Sequence, residues 1–97
     1  RQQLRLDARV VSELTLTCPR RGFSLDVDEA AELTLETESG RDFLLELWGE
    51  TKRIGADDDS GRSLNPRLTR RLRPGHYRVV IRPYDTGLGP FALTVSR

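Results

Sequence analysis

The sequence has one cysteine, Cys18, and one histidine, His76, among its 97 residues. A single cysteine excludes an internal disulfide framework and a cysteine-based metal cluster. Nucleophilic catalysis needs a base within hydrogen-bond reach of the nucleophile. The Cys18–His76 pairing is a poor candidate, because His76 follows Pro74 and Gly75 at a turn, where an outward polar residue is expected. We therefore assign no catalytic residues and predict that the chain is not an enzyme.

Long apolar segments and an excess of one charge are also missing. No run of apolar residues is longer than three, which excludes a membrane span and the apolar stretch of a secretory signal within these residues. Sixteen basic residues stand against fifteen acidic ones, a balance that argues against nucleic-acid binding. The length suits one modest core, so residues 1–97 are predicted to be a single domain. The absence of methionine and the start at Arg1 predict that this domain belongs to a larger multidomain protein.

Apolar and polar residues alternate in nearly every segment, which is the period of a half-buried strand. No stretch of a dozen residues keeps a helical pattern, and short turn-forming segments separate the alternating ones. The sequence therefore predicts an all-β, antiparallel β-sandwich. The predicted strands are 4–7, 14–17, 23–27, 33–36, 43–48, 76–82 and 91–96, and the predicted turns are 38–41, 48–51, 73–76 and 85–90.

Three consecutive aspartates, Asp57, Asp58 and Asp59, form the densest acidic feature. If 43–48 pairs with 53–56 in a hairpin around Gly49, Asp42 comes roughly opposite the three aspartates. Like charges that face each other across strands are unfavourable. Two arrangements would relieve the repulsion. The aspartates could accept hydrogen bonds from loop amides and lie near arginines, with no cofactor. Alternatively, Asp42, Asp57, Asp58 and Asp59 could bind calcium, which prefers several carboxylate oxygens.

Basic residues are concentrated near the middle of the chain, and an acidic stretch precedes them. Cross-strand pairing between the two stretches is the expected arrangement, and an anionic partner held by Arg67 and Arg70 is the alternative. The basic residues are Arg62, Arg67, Arg70, Arg71 and Arg73, and the acidic ones are Asp26, Asp28, Glu29, Glu32, Glu36 and Glu38.

Trp48 lies on the opposite side of its predicted strand from Phe43, Leu45 and Leu47. An outward tryptophan would be either an exposed binding residue or a side chain covered by a neighbouring loop, and both alternatives are open. In either case Trp48 is the best single candidate for a binding hot spot, because tryptophan contributes strongly to interfaces when it is desolvated.

Residues 10–97 resemble the bacterial pre-peptidase C-terminal domain family, which is related to bacterial collagen-binding modules. The resemblance rests on several short motifs in order. They are Asp42-x-x-Leu45-x-Leu47, Ala56 to Asp59, Leu64-Asn65 with Arg67-Leu68, Leu72-x-x-Gly75-x-Tyr77-x-Val79-x-Ile81, and Gly89-x-Phe91-x-Leu93-x-Val95.

The resemblance implies a jelly-roll-like sandwich of about seven to eight strands. It also implies a non-catalytic accessory domain of a secreted bacterial protease or hydrolase, acting in partner or substrate binding, positioning or maturation. A calcium-dependent module that binds an extracellular ligand or polymer is the alternative. The expected partners are other domains of the parent protein, or an extracellular protein or polysaccharide. Lys52 and the arginines on the strands resemble edge protection, which favours a monomer.

Overall fold

The computed structural model describes residues 2–57, 65–83 and 87–97. This part of the chain contains nine strands and no helix, and hence no helix long and apolar enough to cross a membrane. The strands are β1 Gln2–Leu4, β2 Arg9–Leu14, β3 Arg21–Val27, β4 Ala31–Ser39, β5 Phe43–Trp48, β6 Arg53–Asp57, β7 Arg67–Leu72, β8 Gly75–Pro83 and β9 Gly89–Ser96.

The strands form two sheets, one with the order β1-β3-β8-β5-β6 and the other with the order β2-β9-β4-β7. Apart from β1, the antiparallel pairs are nested: β2 with β9, β3 with β8, β4 with β7, and β5 with β6. A long hairpin rolled over on itself produces this nesting, and it defines a jelly roll. The predicted all-β, jelly-roll-like sandwich is therefore confirmed.

The first strand differs from the expectation of seven to eight antiparallel strands. β1 is a ninth, short strand that pairs parallel with β3, with Leu4 opposite Leu25. The chain leaves β1 through a turn in which Asp7 has a φ of 62° and donates its N–H to the carbonyl of Val95 at 2.7 Å. The predicted strand at 4–7 is therefore wrong, because β1 ends at Leu4 and a turn follows it. Because the intervening β2 lies in the other sheet, β1 and β3 run in the same direction without a helical connection.

The predicted strand at 14–17 is also wrong, because β2 ends at Leu14 and Leu16 is 88% exposed. The chain turns here instead. Thr15 donates its N–H to the carbonyl of Cys18 at 3.0 Å, and its hydroxyl accepts the N–H of Cys18 at 3.0 Å. Threonine side chains compete in this way with the hydrogen bonds of a sheet. The alternation of Leu14 and Leu16 therefore does not reflect a strand.

The inward faces of the two sheets form one apolar core. Every strand except β6 contributes a fully buried apolar side chain to it, and β6 contributes the partly buried Ile54. At its centre Phe91 of the four-stranded sheet packs edge-to-face against two rings of the five-stranded sheet. Its centroid lies 6.2 Å from that of Phe23 and 5.9 Å from that of Phe43. Such contacts add to the free energy gained from burial alone.

Phe91→Ala should lower the free energy of unfolding by about 3–5 kcal/mol, because it removes the ring that contacts both Phe23 and Phe43 and leaves a cavity. Urea unfolding measures the loss. The matched control is Val11→Ala, since Val11 is apolar but 69% exposed, and its effect should stay within about 0.5 kcal/mol. Equal losses in the two variants would contradict this description of the core.

Candidate functional site

The outer face of the five-stranded sheet collects the most unusual group of polar side chains. The alternation of β5 that buries Leu45 and Leu47 turns Glu46 and Trp48 outward. Pairing with the neighbouring strands then places Arg78 on one side of Trp48 and Arg53 on the other. We call this surface the Arg–Trp face; it consists of Glu46, Trp48, Arg53, Arg78 and Arg82, together with Arg20 from the β2–β3 connection.

Glu46 lies at the centre of the Arg–Trp face, and its side chain is only 4% exposed. Oε2 accepts hydrogen bonds from Arg53 Nη1 at 3.2 Å and from Arg82 Nη2 at 3.4 Å. Oε1 accepts one from Trp48 Nε1 at 3.4 Å and lies 4.0 Å from Arg20 Nη2. A buried carboxylate is tolerated when it is paired and hydrogen-bonded, as it is here.

The charge of Glu46 follows from the same contacts. Burial acts to raise the pKa of this carboxyl, but hydrogen bonds from Arg82, Trp48 and Arg53 act the other way and outweigh burial. The pKa of Glu46 is therefore below its ordinary value of 4.5, and the group is ionised at neutral pH. Its negative charge partly neutralises the arginines around it.

Trp48 is half-buried, and Arg78 of the neighbouring strand β8 lies over its ring. The guanidinium carbon of Arg78 lies 5.5 Å from the centre of the indole ring, which is a cation–π contact. Within the described residues no carboxylate forms an ion pair with Arg78, and its buried Nε has no hydrogen-bond partner. Arg78 is thus held by the ring and keeps its capacity to bind an acceptor.

A second charged pair lies on the same outer face, where β3 and β8 place Asp26 directly opposite His76. Oδ1 of Asp26 and Nδ1 of His76 are 2.6 Å apart, and both side chains are exposed. The hydrogen bond to Asp26, and then its charge, raise the pKa of His76 above its ordinary value of 6.5. Both residues line a shallow depression of about 500 Å³ that Trp48 and Arg78 also border.

Comparison with solved structures identifies the fold. The pre-peptidase C-terminal domain of a collagenase from Bacillus anthracis is similar to this chain with a TM-score of 0.82 and 16% sequence identity, covering 97% of this chain and 92% of that one. The chain has the fold of a pre-peptidase C-terminal domain. The resemblance expected from the sequence motifs is therefore confirmed at the level of the fold.

A second solved structure shares this fold. PliG from Aeromonas hydrophila, a periplasmic lysozyme inhibitor of g-type lysozyme, is similar with a TM-score of 0.76 and 12% identity, covering 98% of this chain and 93% of that one. No protein-family model matches the sequence. No curated protein matches it either.

The aspartates proposed as a calcium site are only partly described. β5 and β6 pair as expected, with Leu45 opposite Asp57. Asp42 lies just before β5 and three positions from Leu45, which corresponds to about 10 Å along an extended chain. Oδ2 of Asp57 accepts the N–H of Arg67 at 2.9 Å, a bond of the kind expected without a metal. Asp58 and Asp59 lie outside the described residues, which themselves contain no cluster of ligands suited to a metal ion. The calcium site remains a prediction.

The arginines proposed as anion-binding residues do not lie beside Trp48. On the outer face of the four-stranded sheet Arg67 is directly opposite Glu36, and Arg71 is directly opposite Glu32. The expected cross-strand arrangement of acidic and basic residues is thus confirmed for these two pairs. Arg70 instead covers Gly55 where β6 meets β7, and a Cβ at Gly55 would lie 3.0 Å from Nη2 of Arg70. The fold therefore separates Trp48 from Arg67 and Arg70.

Cys18 and His76 also lie apart in this fold. Cys18 precedes the first residue of β3, Arg21, whereas His76 is opposite Asp26 near the other end of that strand. Arg21 and Asp26 are five positions apart along β3, which corresponds to about 17 Å. These two side chains therefore do not form the dyad considered from the sequence.

The sequence analysis missed most of the Arg–Trp face. Glu46 precedes Trp48 by two positions on the polar side of β5, and Arg78 and Arg82 share the polar side of β8. That shared periodicity was a usable signal. The pairing of β5 with β8 could not be predicted from the sequence. These strands are far apart in sequence, and the hydrophobic pattern of each would fit several partner strands.

Glu46→Gln should lower the free energy of unfolding at pH 7 by about 1–3 kcal/mol, because the arginines lose their charged acceptor. A pKa lowered by folding stabilises the folded state above the ordinary value of 4.5, and this contribution disappears as the pH falls through the folded-state pKa. The difference in the free energy of unfolding between the wild type and Glu46→Gln should therefore become smaller in acid. Urea unfolding at pH 7 and pH 3 measures it, with the exposed Glu29→Gln as the control. A difference that is constant with pH would contradict this prediction.

Because His76 is the chain's only histidine, its proton resonances can be titrated directly by NMR. The measured pKa should exceed 6.5 in the wild type and fall towards that value in Asp26→Asn, whereas the exposed control Asp28→Asn should leave it unchanged. The raised pKa stabilises the folded state below pH 6.5, and that contribution is lost as the pH rises through the folded-state pKa. An unshifted wild-type value would refute the pairing in solution.

Proposed function

We propose that this chain is a non-catalytic accessory domain of a larger secreted bacterial protein, such as a protease or another hydrolase, and that it holds a protein partner through the Arg–Trp face. The observation that carries the proposal is the half-buried, outward-facing Trp48 with arginines on both sides. Tryptophan and arginine are the residues most enriched at the energetic centres of protein interfaces. The outer side of a sheet also offers a rigid, open surface for such a contact.

The two solved structures described above support a role beside another protein. One is a domain of a collagenase, and the other is a periplasmic inhibitor of a lysozyme. We extend to this chain the classes of partner that these names suggest, which are another domain of the parent protein or an extracellular protein. A location outside the cytoplasm, in the periplasm or in the medium, belongs to the same proposal.

We further propose that the domain is a monomer when no partner is bound. Two copies that met through the Arg–Trp face would place Arg53, Arg78 and Arg82 of one against those of the other, and like charges across an interface are costly. At the edge of the five-stranded sheet, β6 carries Arg53 at its first residue, which protects the edge from pairing with another strand.

A surface binding experiment tests this function. The domain is immobilised, and the binding of soluble collagen and of g-type lysozyme to it is measured. We expect saturable binding to one of the two proteins and no hydrolysis of either. Trp48→Ala should weaken the binding by about tenfold or more, as truncation of a hot-spot residue does. The matched control is Val11→Ala, an exposed apolar side chain on the outer face of the other sheet.

Two results would overturn the proposal. Hydrolysis of collagen by the purified domain would contradict a non-catalytic role. Binding that Trp48→Ala and Val11→Ala affect equally, or no binding to either protein, would contradict recognition through the Arg–Trp face.

A further inference from the structure

We infer that the partner of the Arg–Trp face presents an acidic polypeptide segment, one carboxylate of which binds the guanidinium of Arg78 beside Trp48. The inference rests on the proposed function, which it deepens by naming the chemistry of the partner.

The two outer faces of the sandwich differ in how their charges are matched. On the four-stranded sheet Arg67 and Arg71 have acidic residues directly opposite, and Arg9 lies 3.7 Å from Glu38. On the Arg–Trp face the carboxylate of Glu46 is shared by Arg20, Arg53 and Arg82, and Arg78 has no carboxylate partner among the described residues. This face therefore has an excess of positive charge in a chain whose formal net charge is only +1.

Arg78 is the arginine best prepared to bind a ligand. The indole of Trp48 holds its guanidinium in place, so little conformational freedom is left to lose on binding. The planar guanidinium can donate two parallel hydrogen bonds to one carboxylate, which an ammonium group cannot do. Arginine thus offers a geometric match to carboxylates in addition to its charge.

A depression of about 690 Å³ lies next to Arg78 and provides room for a bound side chain. Arg20 and Arg21 also line it, together with Gly22 and Val80, which are directly opposite each other on β3 and β8. Gly22 contributes no side chain to the wall of the depression, and Val80 opposite it is itself buried. An acidic side chain that enters the depression would therefore lie among three arginine residues, of which Arg78 alone has no polar partner in the described residues.

The structure favours a polypeptide over a polysaccharide. Sugar rings stack on open aromatic faces, whereas the guanidinium of Arg78 already lies over the ring of Trp48. The remaining exposed part of the indole, flanked by arginines, suits an acidic peptide that also carries apolar atoms. A short polyglutamate peptide is therefore the simplest probe of the surface.

Trp48 is the only tryptophan of the chain, so its fluorescence reports binding at this face directly. Titration with polyglutamate should give a saturable change with a dissociation constant below about 1 mM. The affinity should fall as the salt concentration rises, because the attraction is between charges at a surface. No saturable change, or an affinity independent of salt, would overturn the inference.

Arg78→Gln should weaken polyglutamate binding by about tenfold, the loss expected for a hydrogen bond to a charged group. The matched control is Arg71→Gln, which removes the same charge from the opposite face and should change the affinity by less than about twofold. Equal losses in the two variants would show attraction by net charge alone and overturn the inference.

Arg78→Lys separates recognition by the planar guanidinium from simple attraction, because lysine keeps the charge and loses the paired donors. We expect it to bind nearly as weakly as Arg78→Gln, and full affinity would overturn the role of the guanidinium. Thermal melts establish that each variant is folded. If Arg78→Gln does not fold, the comparison of the wild type with Arg78→Lys decides the question.

Inorganic phosphate and heparin are the competing probes. The acidic-peptide inference fails if phosphate alone reproduces the fluorescence change. It also fails if polyglutamate does not bind while heparin does, and Arg78→Lys keeps full affinity for heparin. Failure of the inference and failure of the proposed function are distinguishable. Binding to collagen or lysozyme that is lost in Trp48→Ala, without binding to polyglutamate, would overturn the inference and leave the proposed function standing.

Discussion

The packing of Phe91 against Phe23 and Phe43 joins the two sheets, and the orientation of the strands around it depends on that contact. Successive side chains of a strand point to opposite faces, so once one set of residues is buried the other set must face solvent. On β5 the burial of Phe43, Leu45 and Leu47 leaves Glu46 and Trp48 outside. A shift of one residue in the register of β5 would bury Glu46 and Trp48, and the Arg–Trp face would not exist.

Glu46 links this fold to its proposed function. Arginines gathered on one face repel each other, and a buried carboxylate among them relieves part of that repulsion while its own burial is compensated by their hydrogen bonds. The cluster of Glu46 and its arginines is thus stable although it keeps a net positive charge. Arg78 lies over Trp48 and forms no ion pair with a carboxylate of the described residues. It is therefore the arginine that we propose binds the partner.

The local reading of the sequence was reliable where alternation was long and failed where local hydrogen bonds competed with it. Strands β3, β5, β8 and β9 were predicted well because each has three inward apolar residues that alternate over five positions. Near the start of the chain, the turn at Asp7 and the threonine hydrogen bonds beside Leu16 ended strands that the pattern alone would have continued. The β5–β6 hairpin was also predicted, because its short turn keeps both strands close in sequence.

By itself the sequence determined that the chain forms a β-sandwich with one core, since side-chain period and turn residues act over a few positions. It also identified Trp48 as an outward residue. The assembly of the Arg–Trp face was decided only by tertiary structure, because Arg78 and Arg82 reach Trp48 and Glu46 through the pairing of β8 with β5. The same is true of the separation of Arg67 and Arg70 from Trp48. Strand order in a sandwich follows from the packing of the whole core, which no local pattern contains.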